Sequence, residues 1–188
     1  MTYTTKKITT MAMMIAISFV MVALVRFPIF PDASFLTYEP KDVIIAIAGF
    51  LFGPVEAIII SVAVALIEMI TISATGIWGC VMNILSTLAF ALPGAILYRK
   101  NRSRKSAYIG IAIGVVCMTV SMLLWNYLVT PIYMGYPREA VAAMLIPVFL
   151  PFNLIKAGAN AIFTILLYKP LIRVLRKTNA IPERENNT

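Results

Sequence analysis

A lysine and two asparagines interrupt one of the most apolar stretches of the chain: "PFNLIKAGAN", residues 151–160, sets Asn153, Lys156 and Asn160 at i, i+3 and i+7. That spacing places all three on one face of a helix. An ammonium within an apolar span is costly and normally faces protein or a water-filled cavity, so the stripe points to a ligand pocket. The alternative is a purely structural role in which Lys156 snorkels or pairs with Glu68. Gly79, Asn83 and Ser86 recur at i, i+4 and i+7 on a second apolar run, and "LLWNYLVTP" sets Asn126 between Trp125 and Tyr127 near the end of a third. A lone asparagine in such a helix more often bonds a neighbouring helix than a ligand; three on different helices beside a lysine favour a pocket. Amides offer a donor and an acceptor side by side, lysine a charged donor, and aromatic rings flat surfaces. This set suits a planar heterocycle with an imide edge. A metal ion would need clustered carboxylates or thiolates, and the 8 acidic residues are scattered, so neither a metal site nor a catalytic residue is expected.

The elements that must position these groups are membrane helices. Of 188 residues, 61% are hydrophobic and 13% charged, against about 45–50% and 25% in soluble domains. The fold class is therefore an all-α integral membrane protein, one domain over residues 1–188. Expected helices lie at about 8–25, 42–52, 55–73, 77–98, 107–130 and 148–169. The run 43–72 is open to two readings, one long helix or a hairpin broken at Gly53–Pro54. Charge counting does not separate them: six spans put both termini inside, five put the N-terminus outside. Length favours the hairpin, because 30 helical residues rise about 45 Å against a hydrocarbon core of about 30 Å. The resulting short helix, rising about 16 Å, must be buried among neighbours or border a cavity.

The "RKNRSRK" loop and the tail 170–188 are basic and belong on the cytoplasmic side. Loop 26–41, "SATGIW" and "TPIYMGYPREAVAAMLIP" then lie outside. The formal charge of +8 is accounted for by helix ends, so membrane lipid and not nucleic acid is the expected surrounding. The basic, apolar N-terminus lacks a small-residue cleavage site and reads as a retained helix. Cys80 and Cys117 lie in apolar runs as packing residues, and the absence of histidine removes imidazole-based dyads. The chain has no room for a soluble catalytic domain, so ATP chemistry would come from partners. No internal repeat supports a two-halved transporter. Ala12 and Ala16, four apart, would let another helix approach closely, although chance or packing within the chain explains such a pair as well.

Three groups of residues carry a family likeness: Ala12 with Ala16, "YEPKDVIIAIAGFLFGP" at 38–54, and "PFNLIK" at 151–156. On these the chain resembles the substrate-binding S components of energy-coupling factor (ECF) vitamin importers, most closely the riboflavin type. The resemblance implies the ECF S-component fold: six transmembrane helices, a hairpin at Gly53–Pro54 and both termini cytoplasmic. It implies riboflavin uptake across the cell membrane as the substrate-specific subunit of an ECF-type ABC importer, with riboflavin as cargo, no cofactor and no enzymatic activity. The vitamin would lie near the outer surface between the fourth, fifth and sixth helices, under the lid loop 26–41. Asn126, Asn153 and Lys156 would bond it, Gly79 would let it approach, and Leu36, Thr37 and Tyr38 would close the lid; Asn83 joins this set on spacing alone. Ala12 and Ala16 would dock the transmembrane coupling subunit, driven by two cytoplasmic ATPase subunits. The competing readings are an S component for another vitamin such as thiamine or biotin, a membrane enzyme using Glu68 and Lys156, and a structural subunit without ligand.

Overall fold

The computed structural model describes residues 4–30, 36–73 and 75–177. Part of loop 26–41 and the tail beyond 177 lie outside the described residues. Helix α1 spans Thr5–Leu24, its N-cap Thr4 accepting a bond from the Lys7 backbone N–H. A two-stranded antiparallel ribbon follows, β1 (Phe27–Pro28) with β2 (Thr37–Tyr38), pairing Phe27 with Tyr38 and Pro28 with Thr37. Next come α2 (Lys41–Phe52), α3 (Pro54–Thr71), α4 (Gly76–Lys100) and α5 (Arg104–Met134). The last unit is continuous: α6 (Arg138–Met144), a π-turn at Leu145–Phe149, and α7 (Leu150–Lys177).

The ambiguous run resolves into two helices. Gly53 takes φ +118°, a conformation that glycine alone adopts readily, and Pro54 opens α3, where its missing N–H costs nothing. Five units are long and apolar enough to cross a membrane: α1, α3, α4, α5 and the continuous Arg138–Leu175 unit. The twelve-residue α2 is not among them. It rises only about 18 Å, and ten of its residues, Lys41 to Phe50, are buried. Its neighbours are α1, α3, α4 and α7. The expected six spans are thus five candidate spans around one short central helix.

The segment "TPIYMGYPREAVAAMLIP", expected as an outer loop, is mostly helical. Proline and aromatic content suggested a loop, but Pro131 is tolerated within α5. The turn is confined to Gly135–Pro137: Gly135 ends α5 in the left-handed region at φ +69°, and Pro137 caps α6.

Helices α4 and α5 meet through glycine. A Cβ on Gly114 would sit 2.2 Å from the Phe90 carbonyl oxygen, and one on Gly110 would sit 2.5 Å from the Gly94 Cα. Both obstacles are backbone, so the helices would have to separate. Gly114→Ala is expected to destabilise the fold by about 1–3 kcal/mol, read as a lower thermal midpoint of the purified chain in detergent.

Candidate functional site

At the bundle end where α2 begins, a cavity of about 100 Å³ opens among the ribbon, α3, α4, α5 and α7. Three helices contribute amides or an ammonium to its wall: Asn83 from α4, Asn126 from α5, and Asn153 with Lys156 from α7. Leu36 and Thr37 line it from the ribbon side, and Met82, Met122 and Phe152 supply apolar surface. The volume is below the roughly 300 Å³ at which small-molecule sites begin, so a multi-ring guest enters only if the walls move apart.

The asparagines are held by their own helices. Asn126 Nδ2 donates to the Met122 carbonyl at 2.7 Å, and its Oδ1 accepts from Thr130 Oγ1 at 2.9 Å. Asn153 Nδ2 donates to the Phe149 carbonyl at 2.8 Å, satisfying an acceptor at the end of the π-turn. These bonds fix side-chain direction while leaving each amide spare capacity, because Nδ2 carries a second proton and Oδ1 two lone pairs.

Two lysines meet the site in different ways. Lys41, 2% exposed, donates to Glu39 Oε2 at 3.0 Å and also to Glu68 Oε2. Glu68 Oε2 further accepts from Asn83 Nδ2 at 2.9 Å. Lys156 is 7% exposed and lines the cavity, but among the described residues no carboxylate lies within 4.0 Å of its Nζ. Pairing of Lys156 with Glu68, the structural alternative, is therefore absent; Lys41 occupies that carboxylate. Two further polar atoms at the wall, Glu68 Oε1 and Ser86 Oγ, are buried without a hydrogen-bond partner among the described residues. Such atoms are costly to leave unsatisfied and would reward a polar guest.

Glu39 completes the electrostatics. Arg26 Nε lies 3.3 Å from its Oε1, and Arg26 also donates to the Ile72 carbonyl at 3.2 Å, tying the ribbon to the end of α3. Burial alone would push the Glu39 carboxyl up, but Lys41, Lys156 and Arg26 outweigh it and hold the group down to about 2. A depressed carboxyl stabilises the fold fully above its unfolded value, near 4.5, and loses that contribution as pH falls toward about 2. Glu39→Gln is expected to flatten the fall in thermal midpoint between pH 4.5 and the lowest pH the protein tolerates, with no change in slope above it.

The other expected residues are placed elsewhere. Tyr38 is buried behind the ribbon, its hydroxyl donating to Asn160 Oδ1 at 3.0 Å. Asn160 Nδ2 donates to Asp42 Oδ2 at 3.0 Å, and Thr87 Oγ1 donates to Asp42 Oδ1 at 2.6 Å. Burial, then the Asp42 carboxylate, pushes the Tyr38 hydroxyl up to about 12. This second network joins ribbon, α2, α4 and α7 without reaching the cavity wall. Gly79 is also off the wall. A Cβ there would lie 1.9 Å from Thr75 Oγ1 and 3.2 Å from Ser73 Oγ, so the glycine makes room for two side chains that do line the cavity. Ala12 and Ala16 are exposed on α1. Arg26, Glu39, Lys41 and Asp42 were not singled out from sequence. For the last three the signal is the charge-dense "YEPKD" immediately before an apolar helix; Arg26 carries none.

A family model described as "ECF transporter, substrate-specific component" matches residues 6–168. The chain belongs to this family. As an S component it is a transport subunit, a multi-pass helical membrane protein and not an enzyme. This S component is 32% identical to the riboflavin transporter RibU of Staphylococcus aureus (strain TCH60), over 92% of its own length and 93% of the relative's. It is 29% identical to the riboflavin transporter FmnP of Bacillus subtilis (strain 168), over 87% and 91%. Among solved structures it superposes on the S component of a bacterial ECF transporter with a TM-score of 0.77, at 32% identity, covering 90% of this chain and 97% of that one.

Proposed function

We propose that this S component captures riboflavin outside the cell, in the cavity between α4, α5 and α7, and delivers it inward together with an ECF transmembrane coupling subunit and two cytoplasmic ATPases. The observation that carries the reading is the convergence of Asn126, Asn153 and Lys156 on one cavity wall. Asn83, Glu68 and Ser86 face them across the same cavity. An isoalloxazine ring has an imide edge that an amide can match in both donor and acceptor sense, and its ribityl hydroxyls suit Ser86 and the free oxygen of Glu68. Leu36 and Thr37 close over the ring as the lid, while Tyr38 anchors the lid to α7 through Asn160. Gly79 acts indirectly, by seating Ser73 and Thr75.

The protein resides in the plasma membrane with the basic α4–α5 turn and both termini cytoplasmic, in keeping with the bias of lysine and arginine. The short α2 serves as the second of six membrane helices. Ala12 and Ala16, exposed together on α1, form the small-residue face on which the coupling subunit packs.

The chain purified from riboflavin-fed cells tests this directly. A flavin absorption spectrum that co-purifies, and quenching of added riboflavin fluorescence, are the expected results. A colourless protein that leaves riboflavin fluorescence unchanged but binds thiamine or biotin would reassign the cargo.

A further inference from the structure

A second and larger cavity, about 590 Å³, lies at the opposite end of the bundle between α4, α5 and α7. Its rim carries four cations from three elements: Arg102 in the α4–α5 turn, Arg104 on α5, and Lys169 with Arg173 on α7. No aspartate or glutamate lines it, and among the described residues no carboxylate lies within 4.0 Å of any of the four. Its floor is aromatic. Phe50 packs edge-on against Tyr98 at 5.4 Å and against Tyr168 at 5.9 Å. Ile165 and Ile172 form an apolar side wall, and Ile165 is 41% exposed at the helix surface.

A bias of basic residues toward one membrane face explains cations at this end. It does not explain why four of them surround a concave site with no counter-charge among the described residues, while Lys100 at the end of α4 and Lys105 at the start of α5 lie outside it. Four cations, unpaired among the described residues, over an aromatic and aliphatic recess match a ligand that is anionic at one end and apolar at the other. We propose that this cavity binds the phosphate headgroup of an anionic phospholipid from the leaflet on that side, the phosphate bridging the arginines and an acyl chain running along Ile165. Basic pockets between membrane helices take such headgroups, and arginine holds phosphate oxygens bidentately.

The test uses the full-length chain in detergent micelles supplemented with phosphatidylglycerol, with phosphatidylcholine, or with inorganic phosphate. Phosphatidylglycerol is expected to raise the thermal midpoint by a few degrees more than phosphatidylcholine, and inorganic phosphate is expected to have no such effect. Arg104→Gln with Arg173→Gln should abolish the lipid-specific shift and lower phosphatidylglycerol retention in native mass spectrometry about tenfold or more. Lys100→Gln with Lys105→Gln, which removes the same charge outside the cavity, should preserve both. The proposal is overturned if the two lipids act alike, if the arginine variant keeps the shift, if the lysine variant loses it equally, or if inorganic phosphate reproduces it. Elution of each variant as a single species guards against reading misfolding as lost binding.

Discussion

Lys41→Met is expected to cost about 3–5 kcal/mol of stability, the penalty for removing one partner of a buried ionic cluster. Lys41 is 2% exposed and sits between Glu39 and Glu68, with Asp42 next in the chain. Removing the ammonium leaves two buried carboxylates facing each other across the space it filled. Arg26 still reaches Glu39, but among the described residues Glu68 keeps only Asn83. Because total stability is about 5–15 kcal/mol, the single variant is expected to survive poorly in detergent, with a much lower thermal midpoint. Adding Glu68→Gln should recover part of the loss, since a neutral amide no longer needs a counter-charge. An unchanged midpoint for Lys41→Met, or no recovery in the double variant, would show that the cluster does not hold the ribbon end together.

Lys156→Met should behave in the opposite manner, sparing the fold and removing affinity. Its ammonium forms no close ion pair among the described residues, so methionine preserves the side-chain volume without orphaning a bonded carboxylate. What disappears is a charged donor on the cavity wall. A hydrogen bond to a charged group is worth about 1.5–3 kcal/mol, which corresponds to roughly a 10- to 150-fold weaker Kd for riboflavin. Titration of riboflavin fluorescence against the purified variant measures this, with the thermal midpoint recorded in parallel. A Kd within threefold of the parent would remove Lys156 from the binding reading. A large loss of midpoint without loss of affinity would give it the structural role that Lys41 holds.

The contrast between these lysines shows where sequence reasoning reaches and where it stops. Lys156 was conspicuous because apolar residues surround it on both sides in the chain, and its helical spacing from Asn153 correctly placed the two on one cavity wall. Lys41 was not, since "YEPKD" carries a family likeness but no pattern that marks burial; only the packing of α2 at the centre of the bundle puts those charges out of water. The same limit separated Asn160 from its stripe. Helical periodicity put it on the face of Asn153 and Lys156, but a helix face is long, and at that level the neighbours are Tyr38 and Asp42. The Gly53–Pro54 break was legible only through length, which favoured two helices over one of about 30 residues, and through the family likeness; the positive φ of Gly53 before a helix-opening proline belongs to the structure. The helical continuation through Pro131 was not legible, because one proline is compatible with either a loop or a long helix, and surrounding packing decides.

The buried position of α2 also bears on how the molecule is made. A segment of twelve residues beginning with Lys41 and Asp42 is shorter than the roughly 20 apolar residues that a membrane-inserting segment needs. It gains nothing from lipid contact, and of the four helices that enclose it only α1 precedes it, while α3, α4 and α7 are synthesised later. Assembly therefore cannot proceed strictly in order of synthesis. The newborn segment must wait at the bilayer surface or beside the insertion machinery until downstream helices arrive to enclose it, which makes truncated chains ending before α4 natural targets for membrane quality-control proteases.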